Sequence, residues 1–343
     1  MINVSIVIPV FNASKYLRTT LDSVYNQTYK QWEALLIDDG SQDESGFICD
    51  EYSARDARFK TIHKKNEGVS AARNLGVSMA VGEYLCFLDS DDQMKPRHLE
   101  IGLSKIGDAD LLIFGFERWN YRTDKMILTP TNVKGQKNCQ NYLYELKEGR
   151  GLSEFFCFPW NKFYRRNLIV DNHVTFPTDI SLREDEIFAY RYLHFVTHLI
   201  AISDILIEYN DFPSGLSAKR LAPNKSVALA DHLIAQTKCD NSNKSKRTLF
   251  FRAMIYMVDA INNTSKWAGK NKIAKHMLDI FNNRTFEFDA SDRHGWFRFI
   301  LLNALEHKSI SRIKMLAILF KIKILIRIYI LRDKDLKRWG INV

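Results

Sequence analysis

Two hydrophobic patterns alternate along the first 117 residues. Short, mostly apolar runs (VSIVIPVF, WEALLI and EYLCFL, with the more mixed FKTIH) are separated by stretches at 14–25, 43–58 and 70–81 whose apolar residues recur at helical spacing. Strands that are apolar on both faces need cover on both sides. The alternation therefore predicts an α/β domain with a mainly parallel central sheet, whose ligands sit beyond the carboxyl ends of the strands. From Asp110 to Asp211 the cadence loosens into DLLIFGFERW, a hairpin through 125–133, helical pieces and a strand near 199–209. After Pro213 and Gly215 the spacing becomes helical, with amphipathic segments at 232–236, 250–261 and 272–281. The expected division is an α/β domain over 1–217, a helical domain over 218–307 and a basic tail over 308–343.

Charge sharpens that division. The whole chain of 343 residues carries +9, yet residues 1–220 hold 26 Lys and Arg against 30 Asp and Glu, and residues 221–343 hold 23 against 10. An acidic first part and a strongly basic second part suggest separate tasks, the second facing something anionic. The five cysteines are scattered and form no C-x-x-C pair, which fits reduced thiols and no zinc site. MINVSIVIPVF reads as a strand starting at once rather than a leader, and no apolar run approaches the roughly 18–20 residues that span a bilayer. The expectation is a cytoplasmic protein beginning at Met1.

Four polar stretches carry the candidate chemistry. DSDD (89–92) ends an apolar strand with three crowded carboxylates. Acids with one spacer suit a hard divalent cation that also binds diphosphate, although Asp91 or Asp92 could equally cap a following helix. DDGSQDES (38–45) follows WEALLI, where a carboxylate can accept from a base N–H or a ribose hydroxyl, or close a glycine turn. NEGVSAARNLG places Arg73 near a helix start, suited to phosphate or simply to close packing. In SLREDEIFAYRY three acids precede an apolar helix, either as a general base or as acids favoured at a helix N-terminus.

In order and spacing, VSIVIPVFN, SVYNQTY, LLIDDGSQD, NEGVSAARN, EYLCFLDSDD, PWNKFYRR, FP and REDEIF, followed by YNDFPSGLS, resemble the bacterial family 2 glycosyltransferases over about residues 1–217. The resemblance implies a GT-A, Rossmann-like nucleotide-sugar-binding domain and an inverting transferase. It puts Pro9, Val10, Asn12, Asp38, Asp39, Arg73, Asp89, Ser90, Trp160 and Lys162 at the nucleotide-sugar site. Asp91 and Asp92 are then the metal residues for Mn2+ or Mg2+, with Asp91 first. Asp185, within the Glu184–Asp185 pair, is the matched catalytic base, with Glu186 a third acid directly behind it. The implied donor is a UDP-sugar and the implied acceptor a lipid-linked saccharide of lipopolysaccharide, capsule or exopolysaccharide assembly. A polyprenyl-phosphate transferase of the same fold and an inactive basic scaffold are the alternatives.

Residues 308–338 interleave ten Lys and Arg and two Asp with Ile, Leu and Phe. That mixture suits an element lying in the headgroup plane of a membrane, which the family resemblance implies is the inner face of the cell membrane, and a basic helix packed on its own domain is the plainer alternative. Periodicity leaves KIKILIRIYILR open between helix and strand, with the preceding MLAILFK favouring helix. Nothing in the chain has the aromatic and basic pattern or the motifs of a nucleic-acid reader.

Overall fold

The computed structural model describes residues 3–120, 125–130, 155, 158–211, 221–240, 242–288 and 296–320. The chain forms two compact units, Met1–Lys219 and Arg220–Val343. The first is built on β1 (Val4–Val10), α1 (Ser14–Tyr25), β2 (Trp32–Asp38), α2 (Ser45–Arg55), β3 (Phe59–His63), α3 (Val69–Met79) and β4 (Tyr84–Phe87). There follow β5 (Gln93–Met94), α4 (His98–Ile106), β6 (Leu111–Asn120), β7 (Lys125–Leu128), β8 (Lys162–Arg165), α5 (Arg166–Asp171), α6 (Glu184–Leu193) and β9 (Leu199–Asp211).

Every residue of β1, β2 and β4 is buried, as the continuous apolar runs require. Glu33, a charged residue inside β2, is fully satisfied: its carboxylate accepts from Ser5 Oγ at 2.6 Å, Lys60 Nζ at 2.7 Å and the Val81 N–H at 2.9 Å. The sheet runs β3-β2-β1-β4-β8-β6-β9-β5, with β7 beside β6. β1 pairs in parallel with both β2 and β4, so the chain leaves β1 in one direction and returns on the other side. This reversal opens a crevice at the carboxyl ends of β1 and β4, where a doubly wound sheet binds its ligands. β8 enters antiparallel between β4 and β6, and β9 runs parallel to β6 through a bulge.

α3 lies close on β1 because it carries Gly76 where a larger residue would not fit: a Cβ there would stand 2.4 Å from Val7 Cγ1. That contact sets the height of Arg73, one turn earlier. Of the stretch 125–133, where a hairpin is expected, residues 125–128 form the single strand β7, which pairs antiparallel with β6, and 131–133 lie outside the described residues. The helix-cap reading of DSDD is overturned. β5 intervenes, and α4 starts at His98 after Arg97 with no side-chain cap.

The second unit consists of α7 (Pro223–Cys239), α8 (Asn243–Asn263), α9 (Trp267–Asn282), α10 (Trp296–Glu306) and a helix over 310–320. Proline at the start of α7 and Ser242 Oγ accepting the Ser245 N–H ahead of α8 define two of its helix ends. The helix over 310–320 buries Ile313, Leu316 and Ala317 but leaves Met315, Ile318 and Leu319 exposed. The rest of the tail, 321–343, lies outside the described residues. No helix among the described residues is long and apolar enough to cross a membrane.

Candidate active site

The loops beyond β1 and β2 are laced together. Asn12 adopts φ 49°, a left-handed conformation that asparagine tolerates better than most residues. From there its Oδ1 accepts the Gln42 N–H at 2.8 Å and its N–H donates to Ser41 Oγ at 3.1 Å. Ala13 and Ser14 N–H groups donate to Ser45 Oγ and Asp43 Oδ2 at 2.8 and 3.0 Å. Pro9 and Val10 are buried within β1, so they support the crevice from beneath. Phe11, 48% exposed, projects into solvent beside them.

Asp38 and Asp39 point apart, as successive strand residues must. Asp38 accepts the Ser41 N–H at 3.0 Å and meets His63 Nδ1 at 2.8 Å, while His63 Nε2 meets Asp50 at 3.0 Å. Burial would raise the Asp38 carboxyl, but the Ser41 bonds and His63 outweigh it and hold it below the usual carboxylate value. The two carboxylates raise His63 in turn. The buried Asp39 carboxylate accepts from Lys64 Nζ at 2.6 Å, the Glu67 N–H at 3.0 Å and the Gly68 N–H at 2.7 Å. Asp39 thus shapes the segment leading into α3. Of roughly four lone-pair positions on a carboxylate, three are already used.

Arg73 is buried between two acids. Its Nη1 donates to Glu184 at 2.8 Å and its Nη2 to Asp89 at 2.9 Å. Burial opposes the guanidinium's charge, and Asp89 and Glu184 more than compensate, leaving its pKa raised. The DSDD turn is fixed from two further sides. The Ser90 carbonyl accepts from Thr20 Oγ1 at 3.0 Å, and Asn210 at the end of β9 donates Nδ2 to the Asp91 carbonyl at 2.7 Å and its N–H to Asp92 Oδ1 at 2.9 Å.

The three acids of this turn consequently differ. Asp89 is taken by Arg73. Asp92 is wholly buried, with Oδ2 lacking a partner, and burial together with Asp91 and Asp89 pushes its carboxyl well above the usual value. Asp91 is partly exposed and raised to about 6 by burial and by Asp89. Among the described residues no group of three His, Cys, Asp or Glu could hold a metal on protein ligands alone. Of the three acids, Asp91, partly exposed and not bridged to Arg73, is the one that could offer oxygen to a divalent cation.

At the start of α6 successive side chains point about 100° apart, which separates three adjacent acids. Glu184 turns to Arg73. Glu186 is fully buried, 3.5 Å from Arg183. Asp185 stays partly exposed, its Oδ1 accepting the Glu186 N–H at 2.7 Å. Burial and the Glu184 charge push Asp185 up to about 7 against the opposing pull of Arg73. A carboxylate poised there can act as general base near neutral pH.

Trp160 and Lys162 face inward. The Trp160 ring is 1% exposed and forms a cluster with Phe158 at 4.8 Å and Tyr209 at 5.0 Å, whose own rings lie 5.7 Å apart. Lys162 Nζ is buried and donates to the Phe155 and Phe158 carbonyls, each at 2.5 Å, and to Asn161 Oδ1 at 2.6 Å. The structure thus brings together Arg73, Asp89, Asp91, Asp92, Glu184 and Asp185, while Trp160 and Lys162 brace the strand behind. The motifs do not single out Asn210, which holds the acidic turn, or the exposed Phe11 at the end of β1. An asparagine beside Tyr209 ahead of the Gly-Ser segment, and an aromatic residue directly after an all-buried strand, were the available signals.

Residues 5–171 match the family described as Glycosyl transferase family 2. The chain is 35% identical to EpsH of Bacillus subtilis (strain 168) over 212 residues, a match spanning 60% of each chain. It is 31% identical over 237 residues to the poly(ribitol-phosphate) beta-N-acetylglucosaminyltransferase TarP of Staphylococcus aureus (strain N315), covering 66% of this chain and 68% of TarP. Staphylococcus aureus TarS 1–349, solved with UDP-GlcNAc, superposes with a TM-score of 0.73 at 18% identity, over 93% of this chain and 92% of that one, which shows the shared GT-A fold. With the acidic turn, the Arg73 bridge and Asp185 at the carboxyl ends of its strands, the chain belongs to the family 2 glycosyltransferases.

Proposed function

We propose that the protein is an inverting, metal-dependent transferase that moves a hexose or N-acetylhexosamine from a UDP-sugar to a hydroxyl of a lipid-linked saccharide in surface-polysaccharide assembly. The observation that carries this reading is Asp185: a partly exposed carboxyl raised to about 7, one residue from the Glu184–Arg73–Asp89 bridge to the DSDD turn.

Asp185 takes the proton of the attacking hydroxyl as its oxygen bonds to the anomeric carbon, and the bond from that carbon to the diphosphate breaks on the opposite face. Asp91 is the residue that would hold Mn2+ or Mg2+. Bound there, the cation supplies Lewis-acid neutralisation of the charge growing on the departing diphosphate. Asp39, with one acceptor position left, takes a base N–H, and the exposed Phe11 ring offers the base an apolar face. Asn12 and Asp38 hold the loops that carry these groups.

The names of TarP and TarS support UDP and an N-acetylhexosamine as the first donor to try. The exposed Met315, Ile318 and Leu319, continuous in sequence with the cations of 308–338, support docking on an anionic membrane surface, at the inner face of the cell membrane. Thermal unfolding with UDP-, GDP- and dTDP-sugars in Mn2+ tests the donor. Stabilisation by UDP-sugars is the expected result, because a ligand bound only to the native state raises the unfolding temperature. A midpoint that moves with none of them contradicts the proposal.

A further inference from the structure

The bridge at Arg73 has a neighbour of the same kind. Asn74, the next residue of α3, donates Nδ2 to the Phe176 carbonyl at 2.9 Å and accepts the Phe176 N–H on Oδ1 at 2.8 Å. A side-chain amide here pairs with a backbone as another strand would. The Phe176 ring stacks on Phe188 of α6, centroids 3.9 Å apart and 2° between planes, and lies 5.3 Å from the Arg73 guanidinium. Consecutive residues of one helix therefore hold both ends of the segment that delivers Asp185: Asn74 at Phe176, Arg73 at Glu184.

Arg73 has little surface for a ligand. Its side chain is 6% exposed, two of its nitrogens are committed to carboxylates, and Nε is buried without a partner. A rigid guanidinium fork can reach two carboxylates at fixed angles, as a lysine ammonium cannot. The seat of the fork is set by Gly76, which lets α3 approach Val7.

We propose that Arg73 and Asn74 form a clamp that positions Asp185, acting on the 176–184 segment and the start of α6, and that Arg73 is not a ligand of the donor. This rests on Asp185 being the base. The groups facing Asp185 are Glu184 and Glu186 from its own helix, Arg73 from α3 and Tyr164 from β8. Arg73 offsets Glu184 there, so the clamp sets the electrostatics of the base as well as its place.

Hydrogen exchange on the full chain, with calorimetric binding of UDP in Mn2+, tests the clamp without reference to turnover. Asn74→Ala and Arg73→Lys should each speed exchange across 176–188 by at least about tenfold and leave UDP affinity within about threefold. Turnover of UDP-N-acetylglucosamine should fall in kcat by about 100-fold with KM nearly unchanged, and the double variant should lose less than the product of the single losses. Glu184→Gln, which keeps an acceptor for Arg73 and removes a charge, should move the acid limb of the rate to lower pH. Unchanged exchange across 176–188, or UDP affinity lowered tenfold or more by Arg73→Lys, overturns the clamp. Asp185→Asn at full rate sinks the base assignment and leaves the exchange result standing, whereas an inactive Asp185→Asn beside unperturbed clamp variants sinks the clamp alone.

Discussion

Asp92 Oδ1 accepts the backbone N–H of Asn210 at 2.9 Å, and the Asn210 side chain returns to the Asp91 carbonyl at 2.7 Å. The end of β9 thus grips the acidic turn at the end of β4. Residues 118 apart in sequence meet at the site: Asp92 is sealed beneath the turn, while Asp91 and the Arg73-bound Asp89 stay partly exposed.

Asp91 and Asp92 should therefore differ sharply when replaced. Asp92 is buried, its carboxyl is raised by burial and by Asp91 and Asp89, and its Oδ1 is committed to the Asn210 N–H, an acceptor role that the amide oxygen of Asp92→Asn preserves in the same shape. That variant should retain most of its transfer rate. Asp91→Asn should lose about 100-fold or more together with Mn2+-dependent donor binding. Rates and metal titrations of the two variants check this, and equal losses would contradict it.

The pH dependence follows from Asp185. Its base form is the ionised one, and its carboxyl is raised to about 7. The transfer rate should climb as pH rises through about 7 and fall below it, provided the donor is saturating. Asp185→Asn should flatten this limb and lower the rate at pH 8 by about 100- to 10,000-fold.

The approach of α3 to β1 gives a stability test. Gly76→Ala gains helix propensity of about 1 kcal/mol but drives a methyl to within 2.4 Å of Val7, a buried β-branched residue of the central strand. Net destabilisation of about 1–3 kcal/mol is expected, read as a lower urea midpoint. Because Arg73 rides on the same helix, transfer should fall further than the folded fraction does.

Much of this was legible in the chain. VSIVIPV and WEALLID form β1 and β2 because strands buried on both faces write themselves as apolar runs, whereas FKTIH, which forms the edge strand β3, buries only Phe59. DDGS and DSDD were correctly placed at strand ends for the same reason. The links across the site were not legible. Nothing local to Arg73 says that it will meet Glu184, 111 residues on, and a two-residue strand such as β5 leaves no periodicity to read. As part of PWNKFYRR, Lys162 is expected to face the sugar. Its ammonium is instead held by backbone carbonyls that only the folded chain brings near.

The basic tail can be tested separately from catalysis. Deleting 308–343 should reduce flotation with vesicles rich in anionic lipid at low salt, and Ile318→Glu with Leu319→Glu should weaken it by removing the exposed apolar face of the 310–320 helix. Flotation independent of both changes would place membrane binding elsewhere on the chain.

The most direct test of the central claim is release of UDP from UDP-N-acetylglucosamine by the full chain with Mn2+ and a lipid-linked saccharide extract, run beside Asp91→Asn and Asp185→Asn. Release should require the extract, be abolished by chelator, and drop at least about 100-fold in both variants. Release at the parent rate from Asp185→Asn, or release indifferent to both Mn2+ and Asp91, would contradict it.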